Sequence, residues 1–205
     1  MASLLYLAHV AFHPCSRVHV YTRSLPECFL RLLREEDRKA KSEEEGVSQA
    51  VDPDLPVRRM ALRGLGGLLL QGEPVQCIAV LSFPDCATII LGILANSDLD
   101  LRRRAASVLA ALVEAERCDA LWKSVVASDE VAMAADQLLR GVCDADEEVS
   151  EPSARVLQAL RSYEELKKSL AGEQDVITQL EAEAEAAEAP HAARLREIIG
   201  WLREG

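Results

Sequence analysis

The densest set of side chains able to hold a metal lies near the N-terminus: His9, His13, Cys15 and His19, with Cys28 beyond them. Imidazole and thiolate are zinc ligands, and a closed structural site needs four of them to converge on a tetrahedron. Pro14 breaks any helix that would stack His9 over His13, and no C-x-x-C or H-E-x-x-H frame supports the arrangement. The segment is therefore read as irregular backbone, with no metal and no cofactor assigned. Nucleophilic catalysis needs a base beside a Ser or Cys, yet the remaining imidazole, His191, lies near the other end of the chain. Gly64, Gly66, Gly67 and Gly72 suggest a phosphate loop, but neither a preceding strand nor a Gly-Lys-Ser/Thr follows the pattern through. Close helix packing at Gly64 and a loosened helix end at Gly66 and Gly67 are expected instead. Glu35-Glu36-Asp37 and Glu147-Glu148 fall on solvated helix faces, whereas acid-base catalysis needs a group of tuned pKa within reach of a substrate. No catalytic residue is assigned, and the chain is read as non-enzymatic.

What remains is surface. Arg59 and Arg63, Arg103 and Ser107, and Glu151 and Arg155 stand two and six positions after the start of a recurring apolar stripe. In a stack of helical repeats these positions are predicted to line the concave side. Arginine is favoured where planar, bidentate recognition of carboxylates is wanted, so the six residues are the predicted protein-binding site, suited to an acidic peptide or helix. The chain's own Glu-rich tail is one candidate. Arg58 and Arg102 are expected to pair with neighbouring Asp54 and Asp98.

The elements that must position these residues come from an internal repeat. Asp54-Leu-Pro-Val57, Asp98-Leu-Asp-Leu101 and Asp146-Glu-Glu-Val149 open three segments that align without gaps, at intervals of 44 and 48 residues. Each Asp can cap the free amides of a helix start. From there Val57, Ala61, Leu65 and Leu68 recur at i, i+4, i+8 and i+11, as do Leu101, Ala105, Leu109 and Leu112, then Val149, Ser153, Leu157 and Leu160. That is one apolar stripe at helical period. Pro152 falls in the first turn of the third segment, where a missing N–H is tolerated. A second helix precedes each: Cys28 to Arg38, Pro84 to Ala95 and Glu130 to Val142. The connection Lys39 to Val51 is charged and read as an insertion.

Composition agrees. The 205 residues are 49% apolar but only 4% aromatic, so the core is built from Leu, Ala and Val, which suits packed helices. The formal net charge of −11 is the reverse of what a nucleic-acid or anionic-membrane binder carries. No run of apolar residues reaches the length of a membrane span. The six cysteines form no C-x-x-C pair and read as reduced thiols, which places the protein in the cytoplasm or nucleus. The predicted fold is all-α: a HEAT/ARM-like α-α superhelix of about three helix pairs with a helical C-terminal cap. Residues 1–24 are the irregular N-terminal segment, 25–163 the repeat domain, and 164–205 an acidic helical cap or tail. Beyond the third pair Tyr163 to Ala187 has the propensity for a long helix, interrupted at Pro190 and followed by a short amphipathic helix from Ala193 to Arg203.

The blocks Asp52 to Gln76 (DPDLPVRRMALRGLGGLLLQGEPVQ), Leu101 to Ala115 (LRRRAASVLAALVEA) and Leu138 to Leu160 (LLRGVCDADEEVSEPSARVLQAL), with Leu121-Trp122 between the last two, resemble the maestro heat-like repeat family in sequence and order. The resemblance implies an ARM/HEAT-like superhelix with no catalytic centre. The function expected is a scaffold that binds another protein through its concave face. The alternative is an armadillo-type Hsp70 co-chaperone that speeds nucleotide release. A homodimer through a terminal repeat face is a further expectation, since a short stack needs both ends covered.

Overall fold

A computed structural model describes residues 24–34, 55–71, 74–171 and 174–203. The His/Cys-rich segment with His9, His13, Cys15 and His19, the Lys39 to Val51 connection, Asp54 and Gly72 lie outside the described residues. The described chain is helical: α1 (Ser24–Leu33), α2 (Leu55–Gln71), α3 (Pro74–Leu81), α4 (Cys86–Gly92) continued by a 3-10 turn (Ile93–Ala95), and α5 (Leu99–Glu114). Then come α6 (Cys118–Ala127), α7 (Val131–Val142), α8 (Glu147–Ala159), α9 (Glu164–Ala171), α10 (Gln174–Ala186) and α11 (Ala189–Arg203). They form a helical repeat superhelix. The stripe-bearing helices α2, α5, α8 and α11 stack side by side as one layer, and α1, α4 and α7 back them as a second.

The stripe explains the layer. Leu101, Ala105, Leu109 and Leu112 on α5 are all fully buried, as are Val149, Leu157 and, within a few per cent, Ser153 and Leu160 on α8. Each leucine so removed from water contributes roughly 1.5–3 kcal/mol. Small residues let the layers approach: a Cβ on Gly64 would fall 2.4 Å from the Phe29 ring, and one on Gly141 2.6 Å from Ser153 Oγ. Gly66 and Gly67 are not a loosened end. Helix α2 runs through them to Gln71, and a Cβ on Gly66 would meet Val108 at 2.9 Å, so this glycine too serves contact with α5.

Two helices are additions to the sequence reading. α3 and α6 are short, and each joins one pair to the next, so that a unit holds three helices rather than two. Pro74 sits at the first position of α3, where its fixed φ suits a helix start. Both helices close alike: Ser82 Oγ donates to the Ile78 carbonyl at 2.7 Å and Ser128 Oγ to the Ser124 carbonyl at 3.1 Å. The positive φ of Asp85 (62°) and Asp129 (56°) then turns the chain into α4 and α7.

The C-terminal cap repeats the plan of the units before it. The acidic stretch is two helices, α9 and α10, rather than one rod, with Leu166, Leu170, Val176, Leu180 and Ala184 buried. Helix α9 packs on α7 as α6 packs on α4, and α11 packs on α8 as α8 does on α5. Pro190 lies in the first turn of α11, which begins four residues earlier than the amphipathic pattern suggests. The stripe of α11 is His191, Leu195, Ile199 and Leu202, all buried and again at i, i+4, i+8 and i+11. Glu188 stands three residues before His191, the place that Asp98 and Asp146 hold before their own stripes.

Candidate functional site

Asp98 is the N-cap of α5, with extended backbone, and its Oδ1 accepts from the Leu101 amide at 2.9 Å. Its own amide donates to Asn96 Oδ1 at 2.9 Å; 48 residues on, the amide of Asp146 donates to Asp144 Oδ1 at 2.9 Å. Asp146 is likewise the N-cap of α8, where Arg103 and the Glu148 amide both favour its charged form. Arginines from the preceding unit hold both carboxylates. Arg59 meets Asp98 through Nε at 3.2 Å and Nη2 at 2.6 Å, with Asp100 at 3.3 Å. Arg103 meets Asp146 through Nε at 3.0 Å and Nη2 at 2.6 Å, with Glu148 at 3.5 Å. Two parallel N–H···O bonds on one carboxylate are the most specific arrangement that guanidinium offers.

Asp98 is thus met by Arg59 rather than Arg102, and the Asp54 expected beside Arg58 lies outside the described residues. Arg59 and Arg103, predicted to face an outside ligand, take the next unit's capping Asp. Arg102 binds Asp144 at 2.7 Å and the carbonyls of Asn96 (2.9 Å) and Ser97 (3.2 Å), while Arg58 is buried and reaches the Leu33 carbonyl at 3.4 Å. One residue is a 100° turn of the helix, which separates a side chain sunk between layers from one lying along the face toward the neighbouring helix start.

The ladder continues with altered partners. Glu151, the counterpart of Arg59 and Arg103 on α8, accepts from Arg194 of α11, so the sign of the rung reverses. Arg155 donates to Glu114 of α5 and lies 3.2 Å from Glu151, and Arg161 donates to Glu197 of α11. Arg63 and Ser107 are exposed on the same face. All six predicted residues therefore share one surface, and four of them are rungs. The Arg59 hydrogen bond holds Asp98 below the usual carboxylate range, and the Arg103 hydrogen bond does the same to Asp146. Burial pushes Glu151 up, but Arg194 and Arg155 together outweigh it and hold it down.

A second surface carries no sequence signal. Between α3 and α6 a cleft of about 700 Å³ is lined by Ile78, Leu81, Phe83, Ala120, Lys123 and Ala127, among others. Along its helices Val75 is 77% exposed, Ile78 50% and Val126 46%. It went unpredicted because the two helices that form it did.

Three of the described thiols are unsuited to nucleophilic chemistry. Burial pushes Cys86 up to about 12 and Cys143 up to about 11, and it raises Cys77 as well, against the pull of Arg117. Such groups stay protonated, and the thiolate is the nucleophile. Among the described residues no group of three or more His, Cys, Asp or Glu is placed to hold a metal ion, and no helix is long and apolar enough to cross a membrane.

No protein-family model matches the chain, and no curated protein matches it. Solved structures do. An engineered protein from the Northeast Structural Genomics Consortium aligns with a TM-score of 0.55 at 16% identity, over 99% of this chain and 90% of its own. A second engineered protein from that consortium aligns at 0.52 and 15%, over 100% and 92%. A designed armadillo repeat protein aligns at 0.43 and 14%, over 95% and 87%, too distant to carry structural weight. Similarity at this identity concerns the fold alone.

Proposed function

We propose that the chain is a non-enzymatic scaffold that binds another protein across the face of α2, α5 and α8. One observation carries the reading: Arg59, Arg103 and Arg155 recur on successive helices, each at least 35% exposed, with Arg63 and Ser107 exposed on the same face. A rigid surface of regularly spaced, accessible side chains is what helical repeats use for recognition. Since each of the three guanidiniums already holds a carboxylate, the partner best suited is a segment carrying both signs of charge rather than a purely acidic one. Its acids meet the open edges of the arginines, and its bases meet Asp100 and Glu148. The order of the three repeat blocks supports kinship with maestro heat-like repeat proteins and the non-catalytic role which that kinship implies.

The exposed Val75, Ile78 and Val126 favour a second reading, in which the α3–α6 cleft takes an apolar side chain of the partner. Affinity capture from cells with the wild type, Ser107→Arg and Ile78→Asp separates the two. Ser107→Arg obstructs the face without removing a rung, and loss of a captured protein at unchanged thermal midpoint supports the first reading. Loss only with Ile78→Asp supports the second, and full retention by both variants contradicts the scaffold surfaces named here.

A further inference from the structure

His191 is the odd member of the stripes. It occupies on α11 the position that Leu101 and Val149 hold on α5 and α8, is 3% exposed, and neither ring nitrogen has a hydrogen-bond partner. A buried polar ring without a partner is a standing cost that the apolar residues of the other units avoid. The charged groups facing it are Glu147 and Glu151 of α8, Glu183 of α10 and Arg194 of its own helix. We propose that the α8–α11 junction is an acid-sensitive joint, at which protonation of His191 releases the α10–α11 hairpin from α8.

Burial lowers the ring's pKa below its ordinary 6.5 and outweighs the attraction of the three glutamates. In the docked state the ring is therefore neutral, while in water it takes up a proton near 6.5. Docking is fully stable above that value and weakens as the pH falls through the interval below it. The hairpin is suited to move as a unit: α10 and α11 pack extensively on each other, and α11 is the helix that rests on α8. The rungs that hold it, Arg194 to Glu151 and Arg161 to Glu197, are exposed or half-buried and worth little individually. Release would free the side of α8 that carries Glu147 and Glu151 from the helix resting on it.

The chain's two tryptophans separate local from global opening. Trp201 lies on α11 with the Lys167 ammonium 6.0 Å from its ring centroid, and Trp122 lies on α6, stacked on Tyr163 at 5.1 Å. With Trp122→Phe as background, lowering the pH from about 7.5 to about 5 should shift Trp201 emission to the red. With Trp201→Phe, Trp122 emission and the helical signal should hold over that range. His191→Leu or His191→Gln should cut the Trp201 change to under about a fifth. If both tryptophans move together, or if the Trp201 change survives in the His191 variants, the joint does not exist. A direct titration of the His191 ring by NMR, assigned by its loss in His191→Gln, stands independently of fluorescence. Titration below 6.5 supports the proposal, and titration at or above it overturns it.

Discussion

Gly64 lacks a Cβ because the Phe29 ring fills the space one would take, with three ring carbons within 2.8 Å of it. Gly64→Ala should therefore destabilise the fold by about 1–3 kcal/mol through overpacking, although alanine is the better helix former. In a Phe29→Leu background, where the ring is gone, the same change should be neutral or stabilising; urea midpoints of the four proteins check this. Asp98 argues similarly from a single carboxylate. It caps α5 and holds Arg59 at once, so Asp98→Ala should cost at least the ~1 kcal/mol of a lost cap. Asp146→Ala, which removes a helix-start carboxylate and the partner of Arg103, should cost a similar amount in the same denaturation assay. Not all of this was legible. That Asp98 and Asp146 open their helices follows from the spacing, but which arginine meets them does not. Arg58 and Arg59 are alike in type, and only the packing of α1 against α2 decides which is buried.

At the scale of elements, the three stripes were readable because burial of one helix face imposes an i, i+4, i+8 pattern on the chemistry of its residues. Helices α3 and α6 were not. Eight residues of PVQCIAVL are apolar nearly throughout and too short to show a period, and CDALWKSVVA has no cap residue to announce it. The unit built by α9 to α11 was hidden for another reason: glutamate replaces the opening Asp, and histidine replaces the first apolar residue of the stripe. The closing serines of α3 and α6 give a modest prediction. Ser82→Ala and Ser128→Ala each remove a side-chain bond to the last turn of an already hydrogen-bonded helix. Both should change stability by no more than about 0.5 kcal/mol, since back-bonding of this kind adds little to a helix.

At the scale of the whole molecule, a chain of net charge −11 sets most of its described arginines against carboxylates across helix boundaries, so that charge is used chiefly to register one unit on the next. Two acid transitions should follow. The first, below pH 6.5, belongs to His191 and the C-terminal hairpin. The second lies lower: Asp98 and Asp146 are held below their ordinary 3.8, so the stability they supply is present above that value and lost as the pH falls through their depressed range. Circular dichroism across the acid range should resolve the global loss of helix as the later event. High salt should lower the thermal midpoint, because the rungs are solvent-accessible and screened. The measurement that tests the account most directly is a charge swap at one rung. Arg103→Asp and Asp146→Arg should each lower the thermal midpoint, and the double variant should lose clearly less than the sum of the two, the remainder being the helix-start interaction of Asp146 that arginine does not supply. A double variant that loses the sum of the two single losses would show that consecutive units are not joined by this clamp.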